Sequence, residues 1–118
     1  MRLRSLAVAS AVLIGIVPLA VIAHHGWSGY DSDNLLKLTG TIEASSYANP
    51  HGSATLKTPE KTWEVVLAPP SRMQNRGLTR EMLAPGAAAV VEGYAHRSES
   101  SELRAERITI DGKTVELR

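Results

Sequence analysis

There is no cysteine in the 118 residues, so neither a disulfide nor a thiolate metal ligand is available. Phenylalanine is missing too, which leaves a core to be built from Leu, Ile, Val and Ala around Trp27, Trp63 and the tyrosines. No glycine-rich phosphate loop and no Gly-x-Ser-x-Gly elbow occurs, and this removes nucleotide-binding and serine-hydrolase chemistry. Asp31 and Asp33 lack the glycine and the distal glutamate that a calcium loop places at fixed offsets. Glu99, Glu102 and Glu106 are scattered over a loop and a strand and form no acid and base pair. The chain is therefore not expected to be an enzyme. Basic residues alternate with acidic ones from Glu99 to Arg118, so no basic patch invites nucleic acid.

A membrane-spanning run is also lacking. The apolar stretch from Leu6 to Val17 falls short of the ~20 residues a spanning helix needs. Arg2 and Arg4 precede it, Pro18 follows it, and Val21-Ile22-Ala23 has small or aliphatic residues at the recognised cleavage positions. This pattern predicts a signal peptide over residues 1–23, a mature protein beginning at His24, a periplasmic or secreted location, and no stable membrane span after cleavage. About 95 residues would remain, enough for one small domain. Loss of Arg2 and Arg4 would turn the formal charge of +1 into about −1.

What is present reads mainly as β structure. Residues 24–34 have no periodicity and are expected to form an N-terminal arm, with a single barrel domain over 35–118. Leu36, Leu38, Gly40, Ile42 and Ala44 alternate with polar residues and predict a long strand with one buried face. Asn49-Pro50-His51-Gly52 predicts a turn, and Pro59-Glu60-Lys61 predicts a hairpin joining strands near Ser53–Thr58 and Trp63–Ala68, with Trp63, Val65 and Leu67 on one side. After Pro69-Pro70, Ser71 is expected to cap a helical turn that Gly77 ends, and Thr79 a second turn through Leu83. Residues 87–95 and 103–110 predict two more strands. Leu103 and Ala105 share one parity while Ile108 and Ile110 share the other, which calls for a bulge near Glu106-Arg107. Asp111-Gly112 predicts a tight hairpin to a last short strand at 114–117.

Three strands, a helical segment between strands 3 and 4, then two long strands is the element order of the OB-fold. The expected fold is thus a five- to six-stranded OB-fold-like barrel, the alternatives being a small β-sandwich or an open sheet crossed by one helix. The passage from Leu78-Thr79 through Pro85-Gly86 to Val90-Val91-Glu92-Gly93 is similar to the helix-to-strand passage of many secreted bacterial proteins of this fold. Across residues 24–118, the combination of His24-His25-Gly26-Trp27, the Leu-Thr-Gly-Thr-Ile strand, Asn49-Pro50-His51, Ser71-Arg72-Met73, Arg76-Gly77-Leu78 and Arg104-Ala105-Glu106-Arg107-Ile108 resembles a group of small exported bacterial proteins of unknown function. That resemblance implies export and no activity.

Function must come from side chains, and His24, His25, His51 and His96 are the candidates. Imidazole suits Cu, Zn and Ni, and with no thiolate present a nitrogen-rich site would favour copper(II), at the top of the affinity order. A released N terminus adds an amine: His24 can chelate through amine and ring, or His25 through its ring and its own deprotonated amide. In an OB-fold the loops holding His51 and His96 lie at the mouth of the ligand face. Trp27 and Tyr30 are expected to pin the arm by burying their rings against the barrel. The expected function is copper binding by an exported barrel, in the manner of exported copper and silver chaperones of this fold but without their Met-rich site. The alternative is a metal-free structural or partner-binding barrel of the cell envelope; a copper redox enzyme is disfavoured by the lack of a substrate groove. Arg72, Arg76 and Arg80, four residues apart, read as one solvated helix face or an anion site.

Overall fold

The computed structural model describes residues 26–118. The expected signal peptide and its expected cleavage point, together with His24 and His25, lie outside the described residues. Six strands follow one another as β1 (Leu36–Ser46), β2 (Ser53–Lys57), β3 (Thr62–Val66), β4 (Ala88–Ala95), β5 (Glu102–Ile110) and β6 (Lys113–Glu116). A helix α1 (Pro70–Asn75) and a 3-10 turn (Glu81–Leu83) lie between β3 and β4. The strand order is β3-β2-β1-β4-β5-β6, and a parallel pairing of β3 with β5 closes the first five into an OB-fold-like barrel.

Alternation places one side of each strand in the core. Ala54, Leu56, Trp63, Val65, Ala89, Val91, Leu103, Ala105, Ile108, Ile110 and Val115 are all buried, and Met73, Leu78 and Leu83 close the open end from the helical segment. The parity switch in β5 is met by a bulge at Glu106: Glu92 pairs with Arg107 and Gly93 with Ala105, leaving one residue without a partner. Asp111 and Gly112 both adopt positive φ, 51° and 72°, as a two-residue turn of the hairpin-forming hand requires.

Two expectations need correction. Ala44 is exposed, not buried with Ile42, because Glu43 is a second extra residue: Ile42 pairs with Leu56 and Ala44 with Thr55. Ser71 does not cap α1. Pro69 occupies that position without a side-chain bond, and Pro70 starts the helix, where its fixed φ is favourable and its missing N–H costs nothing. The end of α1 is as expected. Gly77, with φ 84°, donates to the Gln74 carbonyl while the Leu78 N–H reaches that of Met73, and Leu78 and Met73 are both fully buried.

Candidate functional site

The site is built where the arm meets β5. Tyr30 bridges His96 in antiparallel fashion, the Asp31 N–H donates to the Ala95 carbonyl at 2.9 Å, and the Arg97 N–H donates to that of Gly29 at 2.9 Å. The arm thus continues the sheet beside the loop from His96 to Ser101. Burial of the Tyr30 ring brings its hydroxyl to Glu102, to which it donates at 2.7 Å. Desolvation first, and the Glu102 carboxylate second, push this hydroxyl well above the usual phenol range. Trp27 is held by cations: the Arg104 guanidinium lies 4.4 Å and the Arg118 guanidinium 4.6 Å from its ring centre. Tyr94 meets the same ring edge-on at 5.9 Å, and Arg104 Nη1 donates to the Gly26 carbonyl at 2.6 Å. Trp27 and Tyr30 therefore do pin the arm.

The Tyr30 hydroxyl carries a pH expectation. A phenol harder to ionise in the folded chain contributes stability that is complete below the free-tyrosine pKa of about 10 and is lost as pH rises beyond it. Melting temperature is expected to fall more steeply above about pH 10 in the parent than in Tyr30→Phe. Parallel alkaline slopes for the two would contradict this.

His96 is not a solvated loop residue. Its ring packs edge-on against Tyr30 with centroids 5.1 Å apart, and its Nε2 lies 3.9 Å from Glu102 Oε2. The N–H groups of Ser98 and Glu99 donate to His96 Nδ1 at 3.1 and 3.0 Å. A nitrogen that accepts two bonds carries no proton, so the ring proton sits on Nε2, facing Glu102. Nδ1 is thereby engaged in holding the loop, while the ring face packs against the arm through Tyr30. The small size of Gly29 permits this, since a Cβ there would stand 3.1 Å from His96 Nε2.

His51 lies on the loop between β1 and β2. The following residue, Gly52, donates to the Ala68 carbonyl at 2.8 Å and accepts from the Leu67 N–H at 2.9 Å, and a Cβ on it would meet Met73 Cε at 2.6 Å. His51 is half-buried on a loop anchored to the end of β3 and to α1. Among the described residues, no group of three or more His, Cys, Asp or Glu side chains is placed to hold a metal ion. A groove of about 950 Å³ opens between Thr39–Glu43, Lys57–Pro59 and Pro85–Gly86, and neither His51 nor His96 lines it.

The arginine series also divides. Arg72 Nη1 donates to the Leu117 carbonyl at 3.1 Å, and Arg76 Nη1 to the main-chain oxygens of Glu116 and Arg118 at 2.8 and 3.0 Å. Arg80 lies apart, over the Tyr47 ring at 5.3 Å. The residues that organise the site include Glu102, Arg104 and Arg118, to none of which the sequence assigns a site role. Their one available signal was parity: Glu102 and Arg104 alternate with buried Leu103 and Ala105, and so share the outer face of β5.

A family model matches residues 12–104. The chain belongs to a family of unknown function, DUF6152. Among curated proteins nothing matches. Among solved structures, the crystal structure of TiaS in complex with a transfer RNA and ATP is similar at 19% identity with a TM-score of 0.52, covering 75% of this chain. The matched region is 19% of that chain's length, so the likeness shows a shared fold. Among the described residues of the DUF6152 chain, no helix is long and apolar enough to cross a membrane.

Proposed function

We propose that this DUF6152 protein is an exported barrel that binds a transition metal, copper first, through the histidine pair at the start of its mature chain. The observation that carries the reading is the anchorage of Gly26, whose carbonyl is held by Arg104 beside the clamped ring of Trp27. His24 and His25 immediately precede this fixed point, so a chelate formed there has one end already ordered. Cleavage after Ala23 would free the amine that completes it. His96 takes a supporting role in this reading, because its Nδ1 is spent on main-chain donors and its position fixes the arm through Tyr30.

The test is a copper(II) titration of protein whose N terminus is His24, followed by visible absorption. One equivalent is expected to give a saturable band, which a His24→Ala/His25→Ala variant loses and a His96→Gln variant retains. Adding an alanine before His24 is expected to shift the band, since His24 then no longer carries the free amine. Equal binding by the double variant would refute the site. No copper-dependent change in the parent would favour a metal-free partner-binding barrel of the envelope.

A further inference from the structure

We infer that Arg72, Arg104 and Arg118 form a binding site for a phosphate-type oxyanion at the seam between the arm, α1 and β5. The three come from different parts of the chain and are brought together by the fold. Arg104 and Arg118 both lie over Trp27, and Arg72 grips the Leu117 carbonyl, one residue before Arg118. This inference is independent of the histidine chelate.

The hydrogen bonds of Arg72 and Arg104 leave their charge without an ion-pair partner. Arg72 and Arg104 donate to main-chain carbonyls, which are neutral. Among the described residues no side-chain carboxylate makes an ion pair with either, and residues 1–25 contain no Asp or Glu. Of the two nearby acids, Glu102 accepts from Tyr30 and faces His96, whereas Glu106 pairs with Arg118 itself at 3.6 Å, so the uncompensated charge is that of Arg72 and Arg104. Burial first, and the like charges of Arg72 and Arg118 in addition, lower the Arg104 pKa, although Tyr30 and Glu102 act in the opposite sense. Arg104 Nε is also buried with no hydrogen-bond partner. Arg72 and Arg118 are exposed, which leaves the cluster open to a ligand. Guanidinium groups from several directions suit the multiple oxygens of a phosphate, which can accept paired N–H bonds from each.

Arg80 was the third member of the sequence series and lies outside this cluster, which makes it the control. Trp27 supplies the readout, because Trp63 is buried in the core and contributes a constant background. Inorganic phosphate is titrated against tryptophan emission at fixed ionic strength, with chloride as the balancing anion. In parallel, vesicles of phosphatidylglycerol and of phosphatidylcholine are titrated. The expected result is a saturable change with phosphate, with phosphatidylglycerol vesicles, or with both, and none with phosphatidylcholine. Response to the vesicles alone assigns the oxyanion to a lipid headgroup; response to inorganic phosphate assigns it to a soluble ion.

Arg72→Gln/Arg118→Gln is expected to weaken binding at least about tenfold, and Arg80→Gln to leave it unchanged. Far-UV circular dichroism and melting curves establish that both variants are folded. Absence of a saturable change with either probe would overturn the proposal. Equal weakening by Arg80→Gln would overturn it as well, since that would be the response of a diffuse surface potential.

Discussion

Gly93→Val is expected to yield no folded barrel. A Cβ at position 93 would overlap the Arg104 carbonyl oxygen and stand 2.8 Å from Leu103 Cδ2 and 2.9 Å from Ala105 Cα. Two of these three obstacles are main-chain atoms of the strand that Gly93 pairs with, next to the Glu106 bulge. A side chain at the far end of a flexible residue can step aside; a paired backbone cannot. The cost is set by breaking the β4–β5 ladder, which places it at the severe end of single substitutions, above about 4 kcal/mol. Far-UV circular dichroism of the purified variant is the measurement, and a native spectrum with a melting temperature near the parent's would contradict the argument. Shortening Leu103 at the same time is expected not to rescue Gly93→Ala, because the carbonyl remains.

Leu103→Ala alone is the second large effect. Leu103 is fully buried and pairs with Val65 of β3 on one side and Ala95 of β4 on the other, so it sits where the barrel closes. Removing its branched end loses the transfer free energy and leaves a cavity between strands that cannot collapse independently. The expected loss is about 3 to 5 kcal/mol, read as a shift in the denaturation midpoint with an unchanged slope. A loss below about 1 kcal/mol would mean that the closure is looser than the β3–β5 pairing implies.

These two positions show what a single sequence reveals and what it withholds. The parity switch between Ala105 and Ile108 announced the β5 bulge, because alternation is a local record of which face is buried. Nothing comparable announced the bulge at Glu43. Only Ala44 follows it on the expected buried side, and one small residue is too weak a mark to show a phase change. Closure was less legible still. The pairing of Glu64 with Glu102 joins residues distant in sequence, and alternation specifies a face without naming a neighbour. The histidines were found by composition and placed by fold analogy. That analogy located the two loops, yet could not show that His96 would turn its Nδ1 back onto the Ser98 and Glu99 amides. The site roles of Glu102 and Arg104 are hidden for a related reason: a charged residue on the outer face of a strand looks solvated until the element that covers it is known.

The clamp on Trp27 also orders events in time. Its hydrogen bond from Arg104 to Gly26 spans 78 positions, and its second guanidinium belongs to the segment beyond β6. Neither jaw exists until β5 is in the sheet and the segment after β6 has folded back against α1. Contacts of such long range form after local ones, because the loop they close must first lose its freedom. The clamp is therefore complete only when the barrel behind it is complete, a latch built from both ends of the described chain.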